Sequence, residues 1–237
     1  MSDPLVSCLC CTYGRPQLLG EAVKCFIDQT YPNKELIVVN DQEGVTLKMD
    51  SERDDIQIHN VPLRFNSLGE KRNYGMSLIQ GNYVCIWDDD DLYFPWRISE
   101  SVKAIKKYNC DIVKANRAIM TVNNSNPKIS QNLFHSQACI TKDYISRRKY
   151  PLISVGEDIG FENGANIKSV DVDPFYWYVY RWGLNIHHLS GISNEKASWD
   201  KSLTFVPYSN IQGEIKIKAE FTKNHWTDME SFLNIKI

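Results

Sequence analysis

The chain has 237 residues, a formal net charge of −2 and a pI near 6.2, with 43% hydrophobic and 24% charged residues. That length suits one large domain, or one domain with an appendage, and it buries a core without disulfide staples. The near-neutral balance argues against a basic nucleic-acid coat or a membrane-surface protein.

The first residues, Met1 to Val6, lack the basic and apolar regions of a signal peptide. No apolar stretch approaches the roughly 18 residues of a membrane helix. A cytoplasmic location is therefore expected. The seven cysteines read as reduced thiols in a core rather than as a zinc site.

In chain order, Leu5 to Thr12 (LVSCLCCT) is an apolar run of the kind that forms a strand covered on both faces. A turn at Tyr13-Gly14-Arg15-Pro16 leads into a helix with Leu18, Leu19, Ala22, Val23, Phe26 and Ile27 at helical spacing. Glu35 to Asn40 (ELIVVN) is a second buried strand, ending at Asp41, and Ile56 to Asn60 a third. Ser67 with Glu70 fits a capping box and predicts a helix to about Gln80. Tyr83 to Trp87 (YVCIW) is a fourth strand that runs into Asp88-Asp89-Asp90-Asp91. Pro95 starts a helix to about Tyr108, and Asp111 to Ala115 is a fifth strand. Strands alternating with helices predict an α/β fold with a mostly parallel sheet flanked by helices. The second half is less regular, with an aromatic strand at Phe175 to Trp182 and a strand-like GEIKIKAEF in the tail. Alternation stops near residue 116, which divides the chain into 1–116 and 117–237.

The four aspartates are the strongest chemical feature. Ligands of open α/β sheets bind at the carboxyl ends of strands. Adjacent carboxylates repel, so such a run calls for a cation or for donors. A hard divalent cation, Mg²⁺ or Mn²⁺, takes oxygen ligands and bridges to a diphosphate. Asp41 and Thr12-Tyr13 end two other strands, so three strand ends share one rim. A Tyr ring stacks on a nucleobase, and an Asp accepts from a pyrimidine imide N–H. Lys71 and Arg72 are placed to meet the base or its phosphates.

These residues resemble glycosyltransferase family 2, with its GT-A nucleotide-sugar-binding fold. Four blocks carry the resemblance: VSCLCCTYGRP at Val6 to Pro16, QTY…ELIVVND at Gln29 to Asp41, GEKRNYG at Gly69 to Gly75, and GNYVCIWDDDDLYFPWR at Gly81 to Arg97. The match is close over about residues 5–115 and loose over 150–190. It implies an inverting, metal-dependent transferase that moves a sugar from a UDP-sugar to an acceptor hydroxyl. The nucleotide-sugar set it implies is Thr12, Tyr13, Arg15, Asp41, Lys71, Arg72, Asp88 and Asp89, with Asp41 facing a uracil and Arg72 supporting the base. The metal, Mn²⁺ or Mg²⁺, would fall to Asp90 and Asp88, with Asp89 and Asp91 behind them. Glu157-Asp158 resembles the family's Glu-Asp pair, which makes Asp158 the expected general base beside Glu157. Arg181 to Ser190 resembles a late Arg-His segment. His188, then His187, would complete the metal shell, and Trp182 stands where the family often has His.

For the acceptor, a glycan, a lipid-linked sugar or a small molecule is expected. Lys142, Arg147, Arg148 and Lys149 form a basic patch beside Tyr144 and Tyr150, which leaves DNA as an alternative acceptor, since some phage DNA-modifying glycosyltransferases resemble this family. Two competing functions are a nucleotidyltransferase and a non-catalytic sugar-nucleotide-binding module. The first usually has a Gly-rich triphosphate loop, and the turn after the first strand has one glycine.

Overall fold

The computed structural model describes residues 3–182 and 212–237. Its elements run β1 (Val6–Thr12), α1 (Pro16–Ile27), β2 (Lys34–Asn40), β3 (Val45–Met49), β4 (Ile56–Asn60), α2 (Leu68–Leu78), β5 (Tyr83–Ile86), β6 (Leu92–Tyr93) and α3 (Arg97–Tyr108). There follow β7 (Ile112–Ala115), β8 (Ala118–Val122), β9 (Ser125–Ser130), β10 (Cys139–Thr141), α4 (Lys142–Arg147), α5 (Glu157–Glu162), β11 (Ile167–Val170), β12 (Tyr178–Trp182), β13 (Gly213–Ile217) and α6 (His225–Leu233).

The central sheet has seven strands in the order β11-β7-β10-β5-β1-β2-β4. Strands β5, β1, β2 and β4 are parallel neighbours, and β11 is parallel to β7. Only β10 runs against its neighbours, β5 and β7. The fold is thus the expected α/β, mostly parallel sheet. Two strands from the second half of the chain, β10 and β11, complete a sheet begun by the first half. A four-stranded sheet, β6-β12-β8-β9, and a parallel pair, β13-β3, lie outside it.

The apolar run of β1 divides by strand alternation. Val6, Cys8 and Cys10 join one core with Leu19, Val23 and Phe26 of α1 and Ile98, Val102 and Ile105 of α3. Leu9 joins the other core, with Met76 of α2, Tyr144 and Ile145 of α4 and Phe161 of α5. Cys8 and Cys11 have Cys-x-x-Cys spacing, but three residues along a strand turn side chains to opposite faces, so they do not converge on a metal. All seven cysteines are free, and six are buried.

Several expected boundaries shift. Helix α2 ends at Leu78, α3 starts at Arg97, and the aromatic strand begins at Tyr178. Ser67 caps α2 as expected, its Oγ accepting from the Glu70 N–H at 3.1 Å. Glu70 Oε2 reaches back to the Asn66 N–H at 2.9 Å, one residue before the usual capping-box partner. Gly75 lets α2 lie on β1, because a Cβ there would sit 2.4 Å from Leu9 Cδ1. Among the described residues no helix is long and apolar enough to cross a membrane.

Candidate functional site

The carboxyl ends of β1, β2 and β5 open into one cavity of about 900 Å³. Thr12, Tyr13 and Arg15 reach it from β1, Asp41 from β2, and Asp88 and Asp90 from β5. Helix α2 adds Lys71 and Arg72, and α5 adds Glu157 and Asp158. The structure therefore brings together every expected site residue within the described chain except Asp89. His187 and His188 lie outside the described residues.

The four aspartates separate into two environments. Asp88 and Asp90 line the cavity. Asp89 is fully buried and takes a 2.6 Å hydrogen bond from Thr12 Oγ1 and a 3.0 Å bond from Arg15 Nε. Burial pushes its carboxyl above the ordinary range, against the pull of Arg15. Asp89 thus meets a ligand only through Thr12 and Arg15. Asp91 is also buried, and it accepts from the Tyr178 hydroxyl at 2.6 Å and the Arg181 N–H at 2.9 Å. Burial raises its carboxyl as well, so the run is not four like charges side by side in water. Arg15 Nη1 meets Asp90 Oδ2 at 2.8 Å, so one guanidinium neutralises both the buried and the cavity-facing neighbour.

A buried ion network fixes this turn. Arg181 donates from Nε to the Asp90 carbonyl and from Nη1 to Glu21 of α1, each at 2.5 Å. Glu21 also receives His225 of α6 at 2.9 Å and the Thr222 N–H at 2.9 Å. Burial opposes the charge of Glu21, but the His225 hydrogen bond, Arg181 and Thr222 hold its carboxyl well below the usual range.

On the nucleoside side, Lys71 Nζ lies 2.5 Å from Asp41 Oδ1 and 2.6 Å from the Thr12 carbonyl. The Phe65 N–H donates to Asp41 Oδ2 at 3.1 Å. The ring of Tyr13 carries the Arg64 guanidinium 4.4 Å from its centroid. Arg72 Nη2 lies between Asp88 (3.8 Å) and Glu157 (3.7 Å), distances of ion pairing rather than hydrogen bonding.

Glu157 and Asp158 open α5, a short helix entered through Gly156 at φ +78°. That left-handed conformation suits glycine and turns the chain so that both carboxylates reach the cavity wall. Glu157 is buried, and burial raises its carboxyl while Arg72 lowers it. Asp158 is half-buried on the wall.

Arg64 and His135 also line the cavity and lie outside every motif of the sequence, while Tyr180 comes from the aromatic strand. His135 sits in a one-turn 3₁₀ segment, and no spacing rule singles it out. The basic patch is largely engaged nearby: Arg147 with Asp111 and Asp143, and Arg148 with the Gly160 and Asn163 carbonyls. Tyr144 and Tyr150 beside it are buried. Lys142, Arg147 and Lys149 remain exposed at the surface.

A rim of acidic strand ends around a cleft in a mostly parallel sheet lies where open α/β folds bind their ligands. The family model for glycosyl transferase family 2 matches residues 7–162, more than half of the chain, and the chain belongs to that family. An uncharacterized glycosyltransferase of Haemophilus influenzae is 34% identical over 109 residues, covering 44% of this chain and 33% of the relative. The putative colanic acid biosynthesis glycosyl transferase WcaA of Escherichia coli is 36% identical over 107 residues, covering 41% of this chain and 37% of WcaA. The chain spans between 16% and 33% of the length of the first curated relatives it matches. Among solved structures, S. aureus TarS 1-349 in complex with UDP-GlcNAc superposes with a TM-score of 0.61 at 15% identity, covering 79% of this chain and 61% of that one. The mannosyltransferase PcManGT from Pyrobaculum calidifontis, in complex with GDP-Man and Mn²⁺, gives 0.53 at 15% identity, covering 76% of this chain and 57% of PcManGT. This likeness bears on the fold, which is GT-A-like.

Proposed function

We propose that this chain is an inverting, metal-dependent glycosyltransferase that moves a sugar from a UDP-sugar to an acceptor hydroxyl. The observation that carries it is the convergence of three strand ends and the Glu157-Asp158 turn on one cavity. Tyr13 offers a ring face to the base, and Asp41, held by Lys71, offers carboxylate oxygens to an imide N–H. The TarS complex with UDP-GlcNAc supports a UDP-sugar as donor.

Mn²⁺ or Mg²⁺ fits the donor set. Such ions are commonly held by one or two carboxylates with substrate phosphates completing the shell. Asp88 and Asp90 supply two hard-oxygen groups on the cavity wall, although Asp90 shares an oxygen with Arg15. Among the described residues no three acidic, His or Cys side chains form a cage, so substrate phosphates would complete the shell of a cation held by Asp88 and Asp90. When bound, the cation neutralises charge that develops on the diphosphate leaving group. Asp158 takes the proton from the acceptor hydroxyl as its oxygen attacks the anomeric carbon from the side opposite the diphosphate. That single displacement inverts the anomeric centre. The acceptor in this reading is a glycan, a lipid-linked sugar or a small molecule, with DNA as the alternative.

Product analysis tests the reaction class. Incubation with UDP-sugars, Mn²⁺ and polysaccharide acceptors is expected to release UDP in step with sugar transfer. Pyrophosphate release from a nucleoside triphosphate, with no UDP formed from any sugar nucleotide, would show a nucleotidyltransferase instead.

A further inference from the structure

Beneath the donor side of the cavity lies a buried chain of groups that the proposed reaction does not use. Tyr150 is 2% exposed and pinned at four points. Asn73 brackets its backbone, donating to the Tyr150 carbonyl and accepting from its N–H, both at 2.8 Å. The ring stacks on Phe161 at 4.0 Å and 9°. Its hydroxyl meets His135 Nε2 at 2.8 Å. His135 Nδ1 in turn lies 2.5 Å from Glu162 Oε1, and Glu162 pairs with Lys114 at 2.7 Å. A carboxylate on Nδ1 selects the tautomer in which Nδ1–H donates and Nε2 accepts from the tyrosine hydroxyl. Burial lowers the His135 pKa, in keeping with a neutral ring.

The Arg72 guanidinium rests over the Tyr150 ring, 5.5 Å from its centroid. Its carboxylate neighbours, Asp88 and Glu157, are 3.8 and 3.7 Å away, and its buried Nη1 has no hydrogen-bond partner among the described residues. Direct hydrogen bonds to those carboxylates therefore do not set the position of this cation. Tyr150 does, its ring by cation–π attraction in a desolvated place and its hydroxyl as a hydrogen-bonding neighbour of the guanidinium. Arg72 and Asn73 are consecutive on α2, so one helix turn carries the cation and clamps its support.

We propose that Tyr150, held by the His135–Glu162–Lys114 chain, is a positioning residue that fixes Arg72 between the donor-side Asp88 and the acceptor-side Glu157, with guanidinium donors left available to the bound nucleotide. This rests on the UDP-sugar reading of the cavity. Tyr150 acts only through Arg72.

A double-mutant cycle on UDP affinity in Mn²⁺ tests it, with calorimetry on the full chain and a thermal melt of each variant. Tyr150→Leu is expected to weaken UDP binding about tenfold in the parent, the scale of a buried cation–π contact. In the Arg72→Gln background the same change is expected to alter affinity less than about twofold. Tyr150→Phe keeps the ring but removes the hydroxyl by which His135 holds it, and is expected to lose affinity by less than Tyr150→Leu. Tyr150→Met, which fills more of the space beside Phe161, replaces a leucine variant that does not fold. Equal losses in both backgrounds, or no loss in the parent, would overturn the proposal while leaving the donor site standing. Failure of the parent to bind UDP would overturn the donor reading and this proposal with it.

Discussion

Asp158→Asn is expected to lower sugar transfer by about 10²- to 10⁴-fold, the usual contribution of a general base. UDP affinity in the same variant is expected to stay within about twofold of the parent, since the amide removes a proton acceptor and little volume. The assignment turns on the contrast between the two adjacent carboxylates. Glu157 is buried and faces Arg72 at 3.7 Å, so its charge is committed to a cation. Asp158 is half-buried on the cavity wall, where an acceptor hydroxyl can approach it. Glu157→Gln is the companion variant, and its effect is expected on donor affinity through Arg72. Parallel measurement of initial rates and of UDP binding separates the two. A parent-like rate in Asp158→Asn would remove this residue as base.

Arg181→Met is expected to be the most destabilising of these changes. Removing one partner of a buried ion pair costs about 3–5 kcal/mol, because the other charge stays buried. For a chain of this size that corresponds to a fall in melting temperature of roughly 10 °C. Arg181 is 1% exposed, pairs with Glu21 at 2.5 Å and donates to the Asp90 carbonyl. Its loss thus loosens the attachment of α1 to β12 and one support of the aspartate turn. The pH dependence follows from Glu21. Its folded carboxyl is held below the ordinary 4.5, so its contribution is fully present above that pH and drains away as pH falls further. In Arg181→Met the loss of stability between pH 5 and 3 is expected to be shallower than in the parent. Thermal melts across that range measure both effects. A melting temperature within about 2 °C of the parent at pH 7 would contradict the network.

The donor side of the cavity was legible because its signals are local. Continuous apolar runs mark strands covered on both faces, and the residues that end or follow each run then fall on the carboxyl rim. Thr12, Asp41 and Asp88 follow from that rule alone. Lys71 and Arg72 were legible from the capping signal at Ser67, which places them within the first turns of a helix. The division of the aspartates was not. Asp91 points at Tyr178 and Arg181, and Asp89 at Thr12 and Arg15, partners set by tertiary packing. Strand β10 was hidden for a related reason. It is three residues long, and pairing on both sides by β5 and β7 stabilises it rather than its own pattern. The parallel pair of β3 with β13 joins distant segments, so no short-range signal marks it. The roles of His135 and Tyr150 are not legible locally, because a lone histidine in a short turn and a tyrosine in a basic stretch carry no spacing signature. Their roles depend on what stacks above and below them.

The central claim is that this cavity is a metal-assisted nucleotide-sugar site, and calorimetric titration with UDP, with and without Mn²⁺, tests it most directly. UDP is expected to bind only with Mn²⁺, more tightly than GDP, CMP and dTDP, and not at all in Asp90→Ala. The absence of binding by all four nucleotides, with and without Mn²⁺, would contradict it.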